Sequence, residues 1–145
     1  MSTIQAIAIK NRPGVPMQSI DSAKITVANG ILGDFRGAHL SRQITILSEV
    51  TWKKVCDELD AELPWTTRRA NLLVDGIEFS AAFVGKRVHI GDVELVVTEE
   101  TTPCSNMDAQ HQGLTRALTP DWRGGICCNV LKGGDIKIGD TIEFA

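Results

Sequence analysis

At 145 residues the chain can bury the core of one domain and is too short for two large ones. Hydrophobic residues at 43% and charged residues at 23% are ordinary globular usage. A net charge of −3 excludes a general attraction to phosphate backbones, so nucleic acid is not an expected partner.

The first element in chain order is an alternating run. Ile4, Ala6 and Ala8 are expected on one face and Ile7 and Ile9 on the other, a buried strand ended by Asn11–Pro16. Lys10 and Arg12 follow that run instead of preceding it, the wrong order for a secretion signal. No run approaches the roughly 20 apolar residues that span a bilayer. The expectation is a cytoplasmic chain with no membrane partner, whose four cysteines are reduced thiols.

Lys24–Ala28 reads as a second strand, 30–40 as a glycine-rich loop, and Gln43–Leu47 as a third strand. Trp52, Val55, Cys56 and Leu59 then fall at helical spacing, with Ser48 as N-cap and Glu49 in the first turn. Asn71–Val74 is a strand before the Asp75-Gly76 turn. Arg87–Ile90 and Val93–Thr98 flank Gly91-Asp92 as a hairpin. Gly113–Leu118 reads as a short helix stopped by Pro120, and Ile126–Leu131 as a strand. Ile136–Ile138 and Thr141–Phe144 flank Gly139-Asp140. Because this last stretch echoes Val88–Leu95, it predicts the same hairpin used twice. There is no GxGxxG, no Walker A and no β-α-β rhythm. Many short strands with Gly-Asp turns and few helices predict a mainly β fold, a closed or nearly closed barrel, in a single domain over 1–145.

Cys104 stands where a strong strand pattern has just ended, directly after Pro103, whose fixed φ would hold the sulfur in one direction. A thiolate there could be a nucleophile, a sulfur carrier or a soft metal ligand; the plainer reading is a small hydrophobe in a loop. Position alone leaves both open. Cys56 lies on the apolar helix face and reads as core. Cys127 and Cys128 point to opposite faces of a strand, so at least one is core. Arg68-Arg69-Ala-Asn71 suits an anion beside a polar ring, or is a solvated loop. Arg123-Gly124-Gly125 could present amides and a cation to a phosphate, or is a turn. His89 is expected on the exposed face of its strand, with His39 and His111 in loops. Asp108 either caps a turn or faces the pocket of Cys104.

Four features occur in an order that resembles the MOSC domain, the module at the C-terminus of molybdenum-cofactor sulfurases. They are Gly33-Asp34, Arg69-Ala-Asn71-Leu-Leu-Val74, Pro103-Cys104, and Gly124-Gly125 leading to Val130–Asp140. The resemblance covers nearly the whole chain and implies a β-rich barrel. It implies that Cys104 is the catalytic cysteine, which carries persulfide sulfur or ligates molybdenum in relatives. It also implies that Arg69 and Asn71 contact a molybdopterin cofactor, that Thr102 and Asp108 flank the cysteine in that site, and that Arg68 joins them. No counterpart of the sulfurases' pyridoxal-phosphate domain is expected in this chain.

The expected function is a molybdenum-cofactor-binding or sulfur-carrier protein working through Cys104, as a sulfur transferase or a cofactor-dependent enzyme. Its expected partners are a cysteine desulfurase, a molybdoenzyme or an electron-transfer protein. The alternatives are an oxidoreductase acting on N-hydroxylated substrates, and a non-enzymatic barrel that binds a small anion or a protein through Arg68, Arg69 and Arg123.

Overall fold

The structure, a computed structural model, describes residues 2–104 and 106–145. The opening strand β1 (Ser2–Ile9) forms as expected, but its faces do not alternate as the sequence suggests. Its register against a neighbouring strand shifts between Ile4 and Ala6, which resets the side-chain phase. Ile4 and Ile7 therefore share one core, while Ala6 packs against the helical side of the molecule.

β2 (Gln18–Ile20), which no sequence signal announces, pairs with the second half of β1. β3 (Ser22–Thr26) begins two residues before the expected strand, and β4 (Gly30–Ile31) lies inside the expected loop. β5 (Ile44–Ser48) is buried along its whole length. The helix α1 (Glu49–Glu58) starts as expected, with Ser48 Oγ accepting from Thr51 N at 3.1 Å. Its Trp52 and Val55 pack with Leu47, Leu73, Leu114 and Leu118.

β6 (Leu72–Val74) runs parallel to β5, so β5, α1 and β6 form one β-α-β crossover, contrary to the sequence reading. Strand periodicity alone does not reveal pairing direction, and this crossover is the only parallel pairing among the described residues. β7 (Arg87–Ile90) and β8 (Val93–Glu100) are the expected hairpin. The helices α2 (Met107–Gln110) and α3 (Leu114–Leu118) follow, and only the second was expected. The chain finishes with β9 (Ile126–Lys132), β10 (Gly134–Lys137) and β11 (Thr141–Phe144).

The second hairpin does not exist. The Gly139-Asp140 turn forms, with Asp140 Oδ2 accepting from Lys137 N at 2.9 Å. However, β10 pairs with β3, and β11 pairs with β7 and β1. The turn is also tied to β1, since Ile4 N donates to Asp140 O and Gly139 N donates to Ile4 O. A turn signature reverses the chain but does not choose its partners. Those are set by the open edges of β1 and β7, whose backbone groups need pairing.

The β1–β11 pairing closes a barrel of seven strands among the described residues, in the cyclic order β1-β6-β5-β9-β8-β7-β11. β2 hangs outside on β1, and β10-β3-β4 form a separate small sheet. The barrel interior is filled by Ile7, Ile46, Leu72, Val88, Leu95, Val97 and Cys128 among others. A second apolar cluster lies beneath the helices. The mainly β barrel with a few short helices is thus as the sequence predicted.

Candidate functional site

A cavity of about 400 Å³ opens near the ends of β1, β5, β8 and β9. Five of its lining residues are cationic: Lys10, Arg36, Arg42, Arg68 and Arg69. None of its lining residues is a carboxylate. Cys104, Thr102 and Asn106 stand at its rim, with Thr45, Thr101, Met107 and Cys127 completing the wall. The basic residues look scattered in the sequence. The fold gathers them, and it does so in a chain whose net charge is −3.

Arg68 is buried and faces the backbone rather than solvent. Its Nη2 donates to Thr101 O at 2.8 Å, and Nε and Nη2 donate to Gly124 O at 3.3 Å. Nη1 lies 3.7 Å from Met107 Sδ. One side chain thus fastens the segment leading to Cys104 onto the entry of β9. Gly124 is required there, because a Cβ would collide with Thr101 O and crowd Arg68. Gly125 has φ +97°, and a Cβ on it would collide with Ile46 O. Burial lowers the Arg68 guanidinium's pKa, an effect opposed by the nearby Cys104 and Cys127 thiols.

Arg69 points the other way. Its guanidinium lies 5.3 Å from the Phe35 ring centroid, as does that of Arg36, and Lys10 Nζ lies 5.8 Å from the same ring. Asp34 is buried beside them. Its Oδ1 accepts from Lys10 N at 3.1 Å, and its Oδ2 lies 3.8 Å from Arg69 Nη2. That single carboxylate does not neutralise the group. Burial, and then neighbouring Arg36, push the Arg69 pKa down to about 10. Burial followed by Arg69 and Arg36 lowers Lys10 as well. Arg69 Nε and Asp34 Oδ2 are both buried without a hydrogen-bond partner. Buried polar atoms in this state are uncommon.

The other expected site residues divide. Thr102 lines the cavity. Asn71 does not: its Oδ1 accepts from Thr45 N and Oγ1, and its Nδ2 donates to Ala8 O. The carboxamide staples β5 to the end of β1 and holds the chain between Arg69 and Thr45. Asp108 is exposed and caps a turn, accepting from Thr115 N at 2.9 Å, which lowers its pKa. Arg123 turns away to Glu58 at 2.7 Å and to Ala117 O, so the Arg-Gly-Gly stretch brings no cation to the cavity. His89 sits on the outer wall near Glu94, as expected.

Lys10, Arg36 and Arg42 escaped the sequence reading, and Cys127 was read there chiefly as core. Arg36, two residues after Gly33-Asp34, had a nearby signal; the others became visible only when the strand ends met. Lys10, Arg69 and Met107 also border a neighbouring cavity of about 420 Å³ lined by Val15, Met17, Pro64, Thr66 and Thr67. Among the described residues, no group of three His, Cys, Asp or Glu is placed to hold a metal ion, and no helix is long and apolar enough to cross a membrane.

A MOSC domain family model matches residues 14–143. The chain belongs to the MOSC domain family. This MOSC domain superposes on the YUAD protein from Bacillus subtilis with a TM-score of 0.83 at 19% identity, over 98% of this chain and 94% of that one. It is also similar to YiiM from Geobacillus stearothermophilus (TM-score 0.81, 14% identity, 100% and 75% of the two chains). For YiiM from Escherichia coli the values are 0.74, 14%, 99% and 69%. At these identities the likeness establishes the shared fold. No curated protein matches the chain.

Proposed function

We propose that this MOSC domain binds a molybdenum cofactor through the anionic part of its pterin, with Cys104 as metal ligand or carrier of persulfide sulfur. The observation that carries the reading is a thiol at the mouth of a cavity with five cations and no lining carboxylate. Arg42 pairs with Glu99 at 3.0 Å and Arg69 approaches Asp34 at 3.8 Å. Among the described residues Lys10, Arg36 and Arg68 form no ion pair with a carboxylate. The surplus positive charge suits a phosphate, and the unpartnered Arg69 Nε suits one of its oxygens.

In this reading Lys10, Arg36 and Arg69 hold the phosphate, and Phe35 keeps their charges spread across its face. Thr101 and Thr102 offer hydroxyls to the polar ring, and the neighbouring cavity gives it room. Arg68 positions the Cys104 segment instead of serving as a primary ligand. The bound cofactor would supply a molybdenum centre with one protein sulfur on it. A cysteine desulfurase or a molybdoenzyme would be the partner that loads or unloads the sulfur.

The test is expression in a cofactor-producing host, followed by molybdenum analysis and pterin fluorescence of the purified chain. Co-purifying metal and pterin are expected, with pterin lost in Lys10→Ala/Arg69→Ala. Cys104→Ser should lose metal or sulfane sulfur. Retention of neither pterin nor sulfane sulfur by the wild type would sink the reading.

A further inference from the structure

Cys127 is a second thiol on the wall of the same cavity. Its neighbour on the strand, Cys128, belongs to the barrel core, so β9 presents one sulfur to each side. Cys127 is shielded from bulk solvent. Its Sγ lies 3.1 Å from Thr101 Oγ1, and both residues line the cavity. Thr101 is three residues before Cys104, a chain reach of at most roughly 11 Å between their α-carbons. The intervening segment has no regular secondary structure. Arg68 lines the same cavity as both thiols, and its Nη2 holds Thr101 O at 2.8 Å. A small thiol from solution can reach Cys104, which is exposed, but not Cys127.

We infer that Cys127 is the resolving thiol of the cavity: it attacks a persulfide on Cys104 and expels the carried sulfur as sulfide. The inference rests on the sulfur-carrier form of the proposed function. The Cys127 sulfur attacks the inner sulfur of the Cys104 persulfide. The bond between the two persulfide sulfurs breaks, and a bond between Cys104 Sγ and Cys127 Sγ forms. The outer sulfur leaves as hydrogen sulfide, taking up the Cys127 thiol proton. That sulfur is reduced while the two cysteines are oxidised to a disulfide, so no other oxidant is needed. Two equivalents of a small thiol reopen the disulfide. The arrangement confines release to the interior of the cavity, beside whatever anion the cations hold, and ties each release to a closed state of Cys104.

The experiment loads reduced protein with inorganic polysulfide, removes the excess, and follows released sulfide and intact mass. In the wild type, one sulfide per loaded chain should appear, together with a cross-linked Cys104–Cys127 peptide. Cys127→Ser should keep the extra sulfur on Cys104 until a small thiol is added. Equal release from wild type and variant, without cross-link, would overturn the inference and leave the carrier reading standing. Failure of Cys104 to take up sulfur in either protein would overturn both. As a check independent of loading and of the variant's folding, the wild type is treated with diamide, a thiol oxidant. The same cross-linked peptide is expected. Oxidation at Cys104 with an unmodified Cys127 peptide would show that the two sulfurs do not meet.

Discussion

Cys127 and Cys128 are neighbours on one strand and live in different solvents. Cys128 faces the barrel interior among Ile44, Val97 and other apolar side chains, and burial pushes its thiol pKa up. Cys127 faces a wall of guanidiniums and hydroxyls. The same contrast holds for the whole molecule. The interior of the barrel is closed by backbone pairing and filled with branched aliphatic side chains. The cavity outside it gathers like charges and leaves polar atoms without partners. The lesson is that β5 and β9 line the barrel core with one face and contribute Thr45 and Cys127 to the cavity wall with the other.

The sharpest way to separate the two faces is to damage them one at a time. Leu95→Ala removes a fully buried barrel side chain. It should lower unfolding free energy by about 2–5 kcal/mol in urea titration, with anion binding preserved under folding conditions. Arg68→Met tests the residue that belongs to both regions. Its loss leaves Thr101 O and Gly124 O without their charged donor and should cost about 1.5–3 kcal/mol. Protease cleavage in the segment after β8 should rise in step. A variant as stable as the wild type would break the idea that Arg68 joins the two faces.

Arg69→Gln should move stability the opposite way. A guanidinium held at a pKa of about 10 by burial destabilises the charged folded state. Removing it is expected to raise stability by about 0.5–2 kcal/mol at neutral pH while abolishing pterin retention. The sign carries over to pH. As pH climbs from about 10 toward the ordinary guanidinium value, the unfolded chain holds a proton that the folded chain has released, so stability contributed by this group rises. Comparing wild type with Arg69→Gln at pH 10 and pH 11 should show that rise only in the wild type.

Much of the fold was legible in local signals. Ser48 capped α1 as its position suggested, and the Gly91-Asp92 turn made its hairpin. The nearly identical Gly139-Asp140 turn did not, because pairing is decided by which strand edges are open at barrel closure. At the site, Cys104, Arg68 and Arg69 were legible, since proline, strand end and adjacent arginines are local features, whereas Thr102 entered only through the resemblance. Asn71 was legible as a polar residue in a motif, yet its amide serves the barrel wall. Its role depends on Thr45 and Ala8, which lie 26 and 63 residues away in sequence.

By itself, the sequence determined most of the strands, the capped helix and the barrel class, and its ordered motifs resemble those of a MOSC domain. The strands, the cap and the barrel class follow from side-chain period and turn chemistry, which act over a few residues. Only the tertiary structure decided that Lys10, Arg36, Arg42, Arg68 and Arg69 share one cavity with Cys104 and Cys127. Those residues come from five separate segments, and ring closure of the barrel is what brings their strand ends within range of one ligand.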